Sequence, residues 1–172
     1  MWVMAGLENG EQPRHAGTAA AARRAPSSGS GEERALGALG TLGDPTVDEV
    51  VLPSRPESAG AARRLAHSVV VWQWGLSPQL AEDVVLLVSE LVGNAVRHTG
   101  ARTFGLRMHC RRGRLRVELR DPSRGLPCLM PVREMDVSGR GLFLVDTLSD
   151  RWGVDLRPLG KTTWFEMRTA ER

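Results

Sequence analysis

Apolar residues recur every three to four positions between Ser77 and Gly100, which predicts one long amphipathic helix. Ser77 followed by Pro78 is typical of a helix N-cap and first turn, and glycine at position 100 is typical of the residue just past a helix end. The apolar residues that would share the buried face are Leu80, Val84, Leu87, Val88, Leu91 and Ala95.

Shorter patterns on either side predict the remaining elements. Alternating apolar and polar positions predict strands, and the 3.6-residue period predicts helices. In chain order the predicted elements are a strand over Val47–Leu52, a helix over Glu57–Trp74, the long helix, a hairpin over Arg102–Cys110 and Leu115–Asp121, a loop over Pro122–Ser138, a helix over Gly141–Leu148, and a hairpin over Trp152–Leu156 and Thr162–Arg168. This order predicts an α/β fold, a two-layer sandwich with helices on one face of a sheet.

The N-terminal part of the chain has a different composition. From Pro13 to Gly31 it offers no large aliphatic or aromatic side chain that a core would bury. We therefore predict a disordered tail over residues 1–45, with a single folded domain over residues 46–172. A chain of 172 residues has room for one such domain.

Composition excludes several functions. A formal charge of +3 is too small to indicate a nucleic-acid-binding protein. Cys110 and Cys128 lack the spacing of a metal site and are too few for a disulfide framework. No apolar run is long enough for a signal peptide or a membrane span. The prediction is a soluble, cytoplasmic protein.

Polar residues that could bind a ligand or take part in catalysis interrupt the apolar pattern of the long helix. Glu90, Asn94 and Arg97 are three or four residues apart, so their side chains form one stripe beside the apolar face. Such a stripe can hold a metal ion or a phosphate, or it can simply face water. Asp121 ends an alternating segment, where a carboxylate is equally typical of an ordinary turn.

Four motifs in order carry a resemblance to a known superfamily. They are Glu-x-x-x-Asn on the long helix, Asp121 with Gly125 four residues later, Gly139-Arg140-Gly141-Leu142 at a helix start, and Gly160-Lys161-Thr162-Thr163-Trp164-Phe165. Together they resemble the GHKL ATPases, whose Bergerat fold has a mixed, mostly antiparallel sheet. Within that superfamily they are most similar to the small single-domain serine/threonine kinases that act as bacterial anti-sigma factors, in particular those of actinobacteria.

The resemblance implies ATP and Mg²⁺ as cofactors. It implies that Glu90 is the general base and that the side-chain oxygen of Asn94 binds Mg²⁺. Asp121 would accept a hydrogen bond from the exocyclic amine of adenine. In this chain Ser123 replaces the first glycine of the Gly-x-Gly that usually follows that aspartate, which narrows the backbone conformations available beside the base.

The remaining site residues also follow from the resemblance. Glycines at a helix start allow close backbone approach, and the N–H groups there favour phosphate oxygens. The residues assigned to nucleotide binding besides Asn94 and Asp121 are Arg97, Gly125, Gly139, Arg140, Gly141, Leu142 and Thr162, with Thr163 as the alternative to Thr162 near the adenine. Lys161 follows a glycine, but the glycine spacing of a phosphate-binding P-loop is absent.

Two functions remain open at this point. The first is an ATP-dependent serine/threonine kinase that phosphorylates an anti-sigma-factor antagonist, with a sigma factor as a further partner and a homodimer as the assembly that the resemblance implies. The second is a non-catalytic ATP-binding interaction module, which Ser123 and the short loop after Asp121 favour. A sensor histidine kinase is disfavoured, because the chain offers no membrane span and no room for a dimerising helical hairpin.

Overall fold

The computed structural model describes residues 28–122 and 140–169. The helices are α1 (Ser28–Leu42), α2 (Pro56–His67), α3 (Pro78–His98) and α4 (Arg140–Leu148), and a π-helical segment (Ser68–Gln73) continues α2. The strands are β1 (Val50–Pro53), β2 (Thr103–Arg111), β3 (Arg114–Asp121), β4 (Arg151–Arg157) and β5 (Gly160–Arg168). Within these ranges, no helix is both long enough and apolar enough to cross a membrane.

The five described strands form one sheet in the order β1-β2-β3-β5-β4. All four pairings are antiparallel, so this sheet is fully antiparallel rather than mixed. The turn between β2 and β3 contains Arg112 and Gly113, both with positive φ, which is the backbone of a type I′ hairpin turn. The predicted α/β sandwich and both predicted hairpins are confirmed.

The helices cover one face of the sheet, and the core lies between the two layers. Because side chains alternate along a strand, the odd-numbered positions of β3 and β5 face the helices. Leu115, Val117 and Leu119 of β3, with Phe165 and Met167 of β5, belong to the core cluster together with the buried faces of α2 and α3. The even-numbered positions of these strands lie on the other face, where charged side chains dominate.

Helix α3 forms as its pattern predicts. The Ser77 side chain caps its N-terminus by accepting a hydrogen bond from the Leu80 backbone N–H at 3.3 Å, and Pro78 occupies the first turn. Five of the six residues on the predicted apolar face are buried, and Leu80 is partly buried against the same core. The helix ends at His98, and Gly100 follows with a φ of 62°, which glycine adopts easily.

The predicted tail is wrong for part of its length. Residues 28–42 form α1, which packs on α2 and on the π-helical segment. The Gly31 backbone lies so close to the Trp72 ring that a Cβ there would come within 2.9 Å of it. The folded part of the chain therefore begins at least 18 residues before the predicted boundary at residue 46, and residues 1–27 lie outside the described residues.

The connection from α1 to β1 is held by Asp44. Its carboxylate accepts hydrogen bonds from the Thr46 backbone N–H at 2.8 Å, the Thr46 hydroxyl at 2.7 Å and the Gln73 amide at 2.9 Å. Partial burial would raise the pKa of Asp44, but these hydrogen bonds outweigh it and leave the pKa below its usual value. The contact with Gln73 ties the N-terminal helix region to the end of the π-helical segment.

Candidate functional site

Glu90 lies on α3 against the first turn of α4. A Cβ atom at Gly141 would collide with the carboxylate Oε2 of Glu90, and it would lie 3.3 Å from Cδ of the same side chain. Only glycine at position 141 leaves room for the carboxylate where it stands.

Asn94 lies one helical turn after Glu90, and Arg97 reaches back to it. The Arg97 Nη2 donates a long hydrogen bond to Asn94 Oδ1 at 3.4 Å, and the guanidinium lies over Gly93. Asn94 is half-buried and Arg97 is exposed. The predicted polar stripe is therefore present on α3.

Asp121 ends β3 on the helix-covered face of the sheet. It is buried, and its Oδ2 accepts from the Nζ of Lys161 at 3.1 Å. Lys161 is its direct cross-strand partner on β5 and is buried as well. The backbone is tightly packed here, since a Cβ at Gly160 would collide with the Asp121 carbonyl oxygen.

Thr162 does not join this group. Its register partners are Arg120 on β3 and Asp155 on β4, which places it on the face of the sheet away from the helices. Thr163, the alternative, pairs with Leu119 and shares the face of Asp121. Of the two alternatives, Thr163 is therefore the one on the same face as Asp121, because a shift of one residue along a strand exchanges the two faces. The role of either threonine near the adenine stays a prediction.

The other assigned residues divide between the described and the remaining parts of the chain. Arg140 is the first residue of α4, and the next residues, Gly141 and Leu142, are buried. Gly125 and Gly139 lie outside the described residues. The structure thus brings Glu90 together with Gly141, Asn94 with Arg97, and Asp121 with Lys161.

Sequence reasoning missed the ion pair of Lys161 with Asp121. The adjacent Gly160 suggested only a P-loop, and the glycine spacing in the sequence excludes that motif. One signal was present, because Lys161 is the single lysine of a chain whose other 22 Lys and Arg residues are all arginines. The ammonium of lysine is a compact charge, whereas the guanidinium of arginine is a planar fork of donors. A single lysine among arginines therefore indicates a position where the two side chains are not equivalent.

The opposite face of the sheet carries a second set of charges. Arg116 donates to Glu118 at 2.6 Å and to Glu166 at 3.0 Å, and its guanidinium stacks on the Trp164 ring at 4.0 Å. Partial burial would lower the pKa of Arg116, but the two carboxylates raise it above its usual value. This network is separated from Glu90 and Asp121 by the sheet itself.

Replacing Gly160 by alanine is expected to destabilise the domain. The new methyl group would meet the backbone of Asp121 and Pro122, which cannot rotate away, and the φ of 134° strains any residue with a Cβ. We expect a loss of more than about 2 kcal/mol in the free energy of unfolding, or roughly 5–10 °C in melting temperature. Thermal unfolding followed by circular dichroism measures this.

Gly40→Ala is the matched control. A Cβ at Gly40 meets nothing within 4 Å, and alanine in a helix is favoured over glycine. This variant should melt at or slightly above the wild-type temperature. Equal melting temperatures for the two variants would contradict the tight packing at Gly160.

The few protein oxygen atoms at the site suit a metal ion that takes most of its ligands from other molecules. Among residues 28–122 and 140–169, no three His, Cys, Asp or Glu side chains cluster closely enough to hold a metal ion. The Asn94 oxygen is a hard donor, half-buried and one turn from Glu90. Mg²⁺ commonly takes one or two protein oxygens and completes its shell with phosphates and water, so the residues present fit a metal that arrives with a phosphate ligand.

The chain matches the model of the histidine kinase-like ATPase domain over residues 52–167, which is more than half of its length. It therefore belongs to that family. The comparison with curated protein sequences gives no significant match.

Solved structures with similar folds include two from the blue-light activated histidine kinase of Erythrobacter litoralis EL346. The first, described as a histidine kinase domain, is 23% identical, with a TM-score of 0.44 and coverage of 81% of this chain and 74% of that one. The second is 21% identical, with a TM-score of 0.46 and coverage of 80% of this chain and 47% of the other.

Proposed function

We propose that this chain is an ATP-binding regulatory protein, and that it acts as a serine/threonine kinase on an anti-sigma-factor antagonist. The observation that carries the catalytic part is the position of Glu90. Its carboxylate lies against the backbone of the first turn of α4 and one helical turn from Asn94. A carboxylate placed beside a phosphate-binding helix start and a metal ligand is suited to accept a proton from an attacking hydroxyl.

The proposal assigns three tasks to the described residues. Asn94 contributes an oxygen to Mg²⁺, which supplies charge neutralisation of the phosphates when it is bound. The backbone of α4 around Gly141 faces the phosphates, where unsatisfied N–H groups and the helix dipole favour anions. Asp121 accepts from the exocyclic amine of adenine, and guanine offers a carbonyl at that position instead.

The proposed partners follow the same reasoning. A kinase of this kind needs a hydroxyl-bearing protein substrate, and the resemblance of the motifs supports an anti-sigma-factor antagonist in that role. A sigma factor bound by a homodimer completes the proposal. The charge pattern does not favour a nucleic-acid partner, because Arg107, Arg116 and Arg120 of the open sheet face are paired with acids.

The first test is a calorimetric titration of the full chain with ATP, with Mg²⁺ present and then with the metal chelated. We expect binding in the micromolar range that weakens without Mg²⁺. If the chain binds no ATP, the proposed function is wrong.

The second test separates catalysis from binding. The chain is incubated with radiolabelled ATP and a purified anti-sigma-factor antagonist from the same organism, and labelled serine or threonine is sought in the antagonist. Transfer supports the kinase. ATP binding without transfer or hydrolysis favours the non-catalytic interaction module, the alternative for which Ser123 in place of glycine is the sequence observation.

A further inference from the structure

A row of three arginines crosses one end of the sheet. Arg111 on β2 is the direct cross-strand partner of Arg114 on β3, and Arg114 in turn pairs with Arg168 on β5. All three side chains lie on the open face, since they occupy the even-numbered positions of β3 and β5 and the position of β2 that faces them. Together with Arg112 in the β2–β3 turn they form an arginine cluster of four exposed residues.

The arginine cluster has little negative charge beside it. Within the described ranges, no acidic side chain forms an ion pair with Arg111, Arg112 or Arg114. Arg168 has one such partner, because its Nε lies 3.7 Å from Oδ1 of Asp150. Four guanidinium groups therefore form ion pairs with a single carboxylate in this part of the protein.

This arrangement opposes folding, so stability does not explain it. Like charges directly opposite each other on neighbouring strands repel. The turn adds a second cost, because Arg112 has a φ of 50°, a conformation that Gly, Asn and Asp adopt far more readily than Arg. A type I′ turn is most favourable with Asn before Gly, whereas this chain has Arg before Gly113. The cluster keeps positive charge where neutral residues would fold better.

We propose that the arginine cluster docks an acidic segment of a partner protein. A guanidinium binds a carboxylate through two parallel N–H···O hydrogen bonds, which makes arginine well suited to this ligand. Neighbouring strands are about 4.8 Å apart, so the row extends over roughly 10 Å, a length that two carboxylates on alternate residues of an extended segment match. The Thr169 backbone N–H donates to the Gly113 carbonyl oxygen at 2.9 Å, which holds the turn beside the end of β5.

A short protein segment fits this surface better than a larger polyanion does. A DNA duplex or an anionic membrane covers an area much wider than one row of side chains. On this face it would meet exposed carboxylates, since the side chains of Asp48 and Asp155 are 86% and 46% exposed. The formal charge of the whole chain is only +3. Charge outside the cluster therefore opposes a polyanion without opposing a short acidic segment.

The arginine cluster is remote from the candidate nucleotide site. Arg114 is the first residue of β3 and Asp121 is the last, so roughly 20–25 Å of strand separates them. The cluster also lies on the open face, whereas α3 with Glu90 covers the other face. A docked segment and a nucleotide would not overlap, and the inference does not rest on ATP binding.

A labelled acidic peptide tests the docking site on the full chain. The probe is a fluorescein-labelled peptide in which glutamate alternates with glycine, and the same peptide with glutamine is its neutral reference. Fluorescence anisotropy is measured at about 0.1 M salt, where a Debye length of roughly 10 Å limits the effect of remote charges. The wild type should bind the glutamate peptide and not the glutamine peptide. In the double variant Arg111→Gln with Arg114→Gln, the dissociation constant should rise about fivefold or more.

Arg107→Gln with Arg120→Gln is the matched control. It removes the same charge from the same face, but these two arginines are paired with Asp48 and Glu49. Its affinity for the glutamate peptide should stay within about twofold of the wild-type value. A wild type that does not bind the glutamate peptide, or a cluster variant that binds it equally well, overturns the proposal.

Thermal unfolding separates docking from a structural role of the arginine cluster. Removing like charges should leave the melting temperature of the cluster variant unchanged or raise it by about 1–3 °C. A fall of several degrees would show that these arginines stabilise the fold, and the proposal would be wrong.

Competition identifies the source of the negative charge. A random-sequence DNA duplex and vesicles of phosphatidylcholine and phosphatidylserine are titrated against the bound glutamate peptide. Each should displace it only at a higher concentration of negative charge than the unlabelled peptide requires. If either one displaces it at a lower concentration, the occupant is a nucleic acid or a membrane, and the assignment to an acidic protein segment fails.

Discussion

Glu90→Gln is expected to leave ATP binding within about twofold of wild type and to lower phosphoryl transfer by roughly 10²–10⁴-fold, the usual contribution of a general base. Glutamine keeps the shape of the side chain beside Gly141 but cannot accept the proton. Calorimetry measures the first quantity, and single-turnover transfer of radiolabelled phosphate measures the second. Transfer at the wild-type rate would remove Glu90 from the mechanism.

Gly141→Ala provides an independent check of the same geometry. The atom that a Cβ at Gly141 would meet first is the carboxylate oxygen at the far end of a flexible side chain. Glu90 therefore turns away at little cost, and the variant should fold normally yet lose turnover. Gly93→Ala is its control, because the nearest atoms to a Cβ there belong to the guanidinium of the exposed, flexible side chain of Arg97, starting at 3.2 Å.

Asn94→Ala is expected to remove the magnesium dependence of ATP binding. In the proposed function the amide oxygen of Asn94 would hold Mg²⁺ together with the ATP phosphates, and alanine has no such oxygen. Affinity for Mg-ATP should fall roughly 100-fold, which corresponds to about 2.7 kcal/mol. Titrations with and without Mg²⁺ should then give the same constant, whereas in the wild type they differ.

A neighbouring substitution controls for effects on the helix. Ser89 lies on α3 just before Glu90, and its hydroxyl donates only to the Val85 carbonyl of its own helix at 2.9 Å. Ser89→Ala should bind Mg-ATP as the wild type does. If Asn94→Ala retains the full magnesium dependence, the metal ligand lies elsewhere in the chain.

The elements that the sequence predicts well are those with a regular apolar pattern over many residues and clear signals at both ends. Helix α3 has 21 residues, a capping serine, a first-turn proline and a terminal glycine, so each local signal agrees with the others. Helix α1 shares only the glycine past its end, Gly43, whose φ is 99°. Its glycines and short apolar side chains give a weak pattern, and it forms against α2, a tertiary contact that no local signal records.

The candidate site likewise has features that a single sequence predicts and features that it does not predict. The spacing of Glu90 and Asn94 is a property of one helix, so it is predictable without the rest of the protein. Which of two adjacent threonines faces the helices depends on strand register, and register is set by pairing between β3 and β5. The contact of Glu90 with Gly141 and the pair of Asp121 with Lys161 join residues 40 or more positions apart, which a single sequence does not reveal.

The two edges of the sheet differ in their capacity to accept another strand. Strand β1 is four residues long and ends at Pro53, which has no N–H to donate. Strand β4 is seven residues long, and its outer backbone has no neighbouring strand in the described sheet. Any assembly that extends this sheet from one protomer to the next would therefore grow from β4, while the proline edge protects the other side against unwanted aggregation.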